Sequence, residues 1–264
     1  MIGFKSATVQ IIAITCIISF IGFFVAPVFQ ALQLTPYEVI VNYSFWLLLT
    51  HVFLHGSFIH LFANMFSLWF IGRTSESILG RKRFILLYFI SAVFAGLLSV
   101  ILSWYFGFGV LERVFGNPNI AMVGASGAIF GLAGVLAALI PRSRVYLLAG
   151  PLFAIIISSL LENFVSNSFL LGLLNLAVTA YIVVCLFSMF SFNPKYSKLS
   201  IPLSIPLWSL PFVAIVPLMV ASIFVQMYIG NVAHLGGFLV GLIYGLILRG
   251  KYPQKTKMLQ RMFR

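Results

Sequence analysis

Apolar runs follow one another along almost the whole chain, parted by short gaps that hold most of its charge. The first, Thr8 to Leu32, is long enough to cross a bilayer. It follows Lys5 and lacks a small-residue cleavage site, so it reads as a retained first helix rather than a cleaved signal peptide. Gln33 to Ser57 comes next, mixed polar and aromatic through Pro36, Tyr37, Glu38, Asn42, Tyr43 and Trp46, and without Lys or Arg. That is the composition of a segment at the membrane interface. Further helices are predicted over Phe58 to Ile78, Phe84 to Phe106, Val123 to Ile140, Val145 to Leu161, Phe169 to Phe190, Leu207 to Tyr228 and Asn231 to Leu248. The pattern predicts an all-α, polytopic transmembrane bundle of eight helices. A six-helix alternative joins two of the three middle runs into one re-entrant or surface pair, because Pro202, Pro206, Pro211 and Pro217 interrupt that region.

Composition narrows the class. Of 264 residues, 62% are hydrophobic and 8% charged, which excludes an ordinary soluble domain. In a soluble protein the net charge of +12 would suggest nucleic acid. Here the cations sit in the gaps between apolar runs, where they set topology, so the partner they imply is the lipid bilayer and not nucleic acid. With eight helices and both termini cytoplasmic, 15 of the 16 Lys and Arg fall inside and only Arg113 outside. Arg81, Lys82 and Arg83 follow the second helix, Arg142 and Arg144 follow the fourth, and Lys195 and Lys198 fill a later gap. The expectation is one integral-membrane domain over residues 1–264, with core motifs at 46–245 and a basic cytoplasmic tail at 249–264, in a prokaryotic cell membrane. Cys16 and Cys185 lie in apolar stretches and read as buried small hydrophobes.

Against this background the stretch VGASGAIFGLAG, Val123 to Gly134, stands out. It places Ser126 at a helix N-terminus, where backbone N–H groups and the positive end of the dipole would meet a negative charge forming beside the hydroxyl. Gly124, Gly127, Gly131 and Gly134 share roughly one face, which lets another helix come close. In NVAHLGGFLVGLIYG, Ala233, Gly237, Gly241 and Gly245 recur every four residues, with His234 beside them. Two such seams can pack so that an imidazole reaches a hydroxyl. The competing reading is a helix-pairing motif with a histidine satisfied by some buried polar neighbour. The topology puts Ser126 and His234 in the same outer part of the membrane. His60 and Asn64, four residues apart, present two hydrogen-bond donors on one helical face. His51, His55 and His60 could also be spaced for a metal, but no Cys or Asp lies near, and His51 and His55 read better as braces of the outer loop. The chain contains no Asp at all, so a Ser-His-Asp triad is excluded.

HVFLHGSFIHLFANM, GASGAIFG and AHLGGFLVG, in this order, resemble the rhomboid family of intramembrane serine proteases. The resemblance implies a Ser-His dyad, with Ser126 as nucleophile and His234 as general base. It also implies an oxyanion site from the backbone N–H of Ser126 with the side chains of His60 and Asn64. Gly237 and Gly241 match the family's close-packed glycines, and Glu76 resembles a structural glutamate tying the cytoplasmic end of the second helix. No cofactor is implied. Two positions depart from the pattern: Leu47 follows Trp46 where an arginine is common, and Phe130 stands where some members carry a tyrosine. The expected function is endopeptidase cleavage of transmembrane protein substrates near their outer end. The alternative is a noncatalytic rhomboid-like protein that binds transmembrane clients.

Overall fold

The computed structural model describes residues 6–162, 165, 167–188, 198–224 and 230–263. Lys5, Lys195 and Arg264, and the predicted helix ends Phe190 and Tyr228, lie outside them. The chain divides into two compact units, Met1–Ser143 with Tyr228–Arg264, and Arg144–Met227.

In the first unit the opening apolar run is broken. Helix α1, Ala7–Phe24, ends where Val25 leaves helical geometry at φ −120°, and α2, Ala26–Leu32, restarts with proline in its first turn, where no N–H is needed. The interface segment holds two short helices, α3 at Pro36–Ile40 and α4 at Leu47–Thr50, and a 3-10 turn at His51–Phe53. Leu34 pairs with Met122 through two backbone hydrogen bonds of 3.0 and 2.8 Å, and Leu34, Val39, Leu47 and Val100 form one buried cluster. Leu47 is therefore an apolar anchor for this segment.

Helix α5, Phe58–Ser67, continues through a π turn at Leu68–Gly72 into α6, Arg73–Leu79. Gly80, at φ +77°, turns the chain into α7, Arg81–Phe106. The loop after α7 carries α8, Glu112–Phe115. Helix α9, Ser126–Leu139, starts three residues later than the apolar pattern suggests, because Val123–Ala125 are held outside the helix. Gly124 sits at φ +127° and donates its N–H to His51 O at 3.0 Å. From Gly127 to Leu139 every residue of α9 except Phe130 is buried. A helix apolar all round belongs at the centre of a bundle, and α9 is packed against α7 and the last long helix.

The second unit departs most from the expected pattern. Arg144–Leu148 is a strand, β1, paired antiparallel with β2, Pro202–Pro206, in the register Arg144 to Pro206 and Leu148 to Pro202. The β-branched and aromatic Val145 and Tyr146 favour it, and prolines at both ends of β2 stop it. Helices α10, Ala149–Glu162, and α11, Ser168–Ser188, follow β1. The Leu207 run divides into a 3-10 turn at Leu207–Ser209, a π turn at Pro211–Ile215 and α12, Val216–Phe224.

Back in the first unit, α13 spans Asn231–Lys251, and the basic tail forms a further helix, α14, Pro253–Met262. Among the described residues four helices, α1, α7, α11 and α13, are long and apolar enough to cross a membrane. Leu47–Phe53 with Phe58–Leu79 makes a pair bent by 94°. Helix α9, at 14 residues, is only about 21 Å long, short of the ~30 Å hydrocarbon layer.

Candidate active site

Ser126 and His234 meet because glycine lines both sides of the α9–α13 contact. A Cβ on Gly237 would fall onto the carbonyl oxygen of Gly127, one on Gly241 onto Gly131 O, and one on Gly134 onto Phe238 O. A Cβ on Gly127 would stand 2.7 Å from that of Ala95 on α7. No larger residue fits, so the two backbones touch, as close packing through small residues allows. Ser126 is the first residue of α9, and Ala125 before it offers no side-chain cap to the helix N–H groups. His234 lies in the first turn of α13. Its Nε2 stands 2.8 Å from Ser126 Oγ, a hydrogen bond across 108 positions of sequence.

The rest of the imidazole is held by packing. Phe130, one turn after Ser126, stacks on it with centroids 4.5 Å apart and planes 23° apart. Phenylalanine supplies no acceptor, and His234 Nδ1 is buried without a hydrogen-bond partner among the described residues.

His60 enters from α5, whose start is capped by Ser57 Oγ accepting from His60 N at 3.2 Å. A Cβ on Gly124 would lie 3.0 Å from His60 Nε2 and 3.9 Å from Ser126 Oγ, so the glycine keeps open the space between those two groups. Asn64 is buried, and its Nδ2 donates to His60 O at 2.9 Å. One amide hydrogen is used there, and a primary amide has two.

His51 and His55 brace this corner. His51 Nδ1 lies 2.9 Å from Leu47 O, and its own carbonyl holds Gly124. His55 is fully buried, with Nδ1 3.0 Å from Ser19 Oγ and Nε2 accepting from Ala125 N at 3.4 Å. Ser19 Oγ donates in turn to Phe53 O at 2.8 Å. A single tautomer satisfies this chain: Nε2 accepts, Nδ1 donates to Ser19, and Ser19 donates to Phe53. The ring of His55 meets that of His60 edge-on, centroids 4.9 Å apart. Ser19 has no signature in the sequence, since one hydroxyl within a long apolar run carries no motif.

Glu76 lies at the far end of the unit. Its carboxylate accepts from Ser6 Oγ, Ala7 N, Thr8 N and Thr8 Oγ1 at 2.6–3.0 Å, so it joins α6 to the N-terminus of α1.

Comparison with known proteins agrees with the motifs. The family model for the rhomboid domain matches residues 42–181 and 145–251. RHOMBOID-like protein 1 of Arabidopsis thaliana is 39% identical over 98 residues, 37% of this chain and 22% of its own length. Rhomboid protein 1, mitochondrial, of Saccharomyces cerevisiae is 36% identical over 99 residues, covering 38% of this chain and 26% of its own length. Rhomboid protease GlpG of Salmonella newport is 26% identical over 118 residues, 44% of this chain and 37% of that protein. This chain thus matches between 22% and 37% of the length of these relatives. With the family match extending over most of its residues, the chain belongs to the rhomboid family.

Proposed function

We propose that this protein is a serine endopeptidase that cleaves transmembrane segments within the membrane, with Ser126 as nucleophile and His234 as general base. The observation that carries the reading is the 2.8 Å contact between Ser126 Oγ and His234 Nε2. A hydroxyl is a weak nucleophile until a neighbouring base takes its proton, and that base must lie within hydrogen-bond reach. His234 takes the proton as Ser126 attacks the scissile carbonyl, then returns it to the departing amine. Water releases the acyl-enzyme by the same route in reverse.

The tetrahedral oxyanion is received by the N–H of Ser126 at the start of α9, with the side chains of His60 and Asn64 as further donors. No acidic residue is needed as a third member to orient the imidazole. Phe130 holds the ring by stacking, and the glycine contact fixes its distance from the serine. Because α9 is too short to reach both faces of the hydrocarbon layer, the serine works below the membrane surface, in a water-accessible recess on the outer side.

A helical substrate keeps its carbonyls hydrogen-bonded and shielded. Substrates are therefore transmembrane segments that unwind easily near one end, through glycine or other helix-breaking residues. Cleavage of a single-span reporter by the purified protein in liposomes tests this reading, with Ser126→Ala and His234→Ala as controls. Cleavage by the wild type and silence of both variants is the expected result. Persistent cleavage by both variants overturns the assignment of the pair. A wild type that cuts no reporter, and whose Ser126 is not labelled by a fluorophosphonate, favours client binding without catalysis.

A further inference from the structure

The end of the first unit opposite Ser126 carries a feature that peptide hydrolysis does not use. Helices α9 and α13 both finish there, and α14 folds back against them. Gln260 Nε2 donates to Leu139 O at 3.0 Å, and Ser143 Oγ donates to Phe263 O at 2.8 Å. Between these helix ends lies a cavity of about 170 Å³, lined by Arg142, Ser143, Arg249 and Gln260 among others. A second of about 430 Å³ adjoins it, sharing Arg249 and Gln260 and adding Lys257.

Among the described residues, three cations line this space and no glutamate of the first unit answers them. Of the three glutamates in the first unit, Glu38 bonds Asn42, Glu76 holds the start of α1, and Glu112 bonds Asn117. The C-termini of α9 and α13 together offset only about one unit of positive charge, so the cations exceed what the helix dipoles require. Arg142, Arg249 and Lys257 are all exposed, and their charged ends can be reached.

Helix α14 sets the depth. Met258 and Met262, one turn apart, are 60% and 70% exposed, and Lys255, Lys257 and Arg261 flank them. Cations around an exposed apolar pair mark a helix lying in the membrane interface. Ile243, Leu246 and Ile247 of α13 are exposed next to it in sequence, as lipid-facing residues should be. The positive-inside tendency explains cations near a helix end, but not their convergence with uncharged donors on a cavity.

We infer that the paired cavities bind the phosphate-bearing headgroup of an anionic phospholipid. Arg142 and Arg249 face the phosphate with their planar donor forks, Ser143, Gln260 and Lys257 line its rim, and the Met258–Met262 face lies along the acyl chains. Basic pockets between helices at headgroup level suit such lipids.

The test uses the full chain in phosphatidylcholine vesicles holding a trace of spin-labelled phosphatidylglycerol, and reads the fraction of label bound. Arg142→Gln/Arg249→Gln is expected to weaken binding roughly a hundredfold, from the loss of one charge-assisted contact to the phosphate at each guanidinium. Lys251→Gln/Lys255→Gln removes the same charge from residues that stand 5.7 Å from the Tyr252 ring and line neither cavity. It is expected to change binding less than about threefold. An equal loss in both double variants means general surface attraction and overturns the site. Displacement of the label by inorganic phosphate alone assigns the cavities to a soluble anion and overturns the lipid. Should the glutamine pair fail to fold, Arg142→Lys/Arg249→Lys keeps the charge but loses the fork. Binding at full strength in that variant also overturns the assignment.

Discussion

Gly237 of α13 stands against the carbonyl oxygen of Gly127 of α9, with no room for a Cβ between them. Ser126 precedes one glycine by a single residue and His234 precedes the other by three, so this contact sets the distance between hydroxyl and imidazole. Gly237→Ala forces the helices apart at an overpacking cost of about 1–3 kcal/mol. A displacement of about 1 Å at the reacting groups is expected to lower reporter cleavage roughly a hundredfold. On the same helix, a Cβ at Gly250 meets nothing within 4 Å among the described residues, and Gly250→Ala is expected to cleave at the wild-type rate. Equal rates for the two variants would refute this account.

The stack of Phe130 on His234 makes a second prediction. Aromatic pairing of this kind contributes about 0.5–1.5 kcal/mol, so Phe130→Ala is expected to reduce kcat up to about tenfold. KM should change little, because the ring holds the base and not the substrate. Phe130→Tyr keeps the stack and should stay near the wild-type rate. Steady-state kinetics on one reporter separates the two parameters, and an alanine variant with undiminished kcat would count against a positioning role.

His55 links Ser19, Phe53 and Ala125, and its loss leaves the buried N–H of Ala125 without an acceptor. An orphaned buried donor costs about 1–3 kcal/mol. His55→Ala is therefore expected to lower the Tm, and Ser19→Ala to lower it less. Measuring both in a Ser126→Ala background keeps self-cleavage out of the comparison. The reverse order would place the main support of this corner on the serine.

At the other end, Glu76 answers four donors around the first turn of α1. Hydrogen bonds to charged groups contribute more than neutral ones. Glu76→Ala is expected to cost about 2–3 kcal/mol, seen as a lower Tm and faster proteolysis near residues 6–8. Glu76→Gln, which keeps an acceptor oxygen, should lose less. Cleavage at low temperature should stay unchanged in both, since the helix running from α5 through the π turn into α6 places Glu76 about 24 Å from His60 along its axis; a parallel loss of activity would contradict that.

Much of this was legible in the residues themselves. Small residues four apart in two apolar runs announced a close helix pair, because only glycine and alanine let backbones touch. Ser126 and His234 stood beside those seams, where an imidazole on one helix can reach a hydroxyl on the other. Phe130 was readable as a ring that stacks without hydrogen-bonding. Less visible were the break at Val25, the β1–β2 pairing and the later start of α9. The β1–β2 pairing and the later start of α9 turn on backbone hydrogen bonds with residues distant in sequence, such as Ala149 to Ile201 and Gly124 to His51, whereas the break at Val25 involves local bonds to Ile21, Val28 and Phe29. Apolar composition alone cannot separate a buried strand from the first turns of a buried helix.

By itself the sequence determined the predominantly helical membrane class and the glycine seams, and it singled out the serine and the histidine as the candidate pair, because hydropathy, residue size and side-chain chemistry are local properties. Only the tertiary structure decided that Nε2 lies 2.8 Å from Oγ, that Leu47 anchors the interface segment through an apolar cluster, and that the basic tail returns as a helix against α9. Those facts depend on which distant segments come to rest against one another, and packing, unlike composition, is a property of the whole fold.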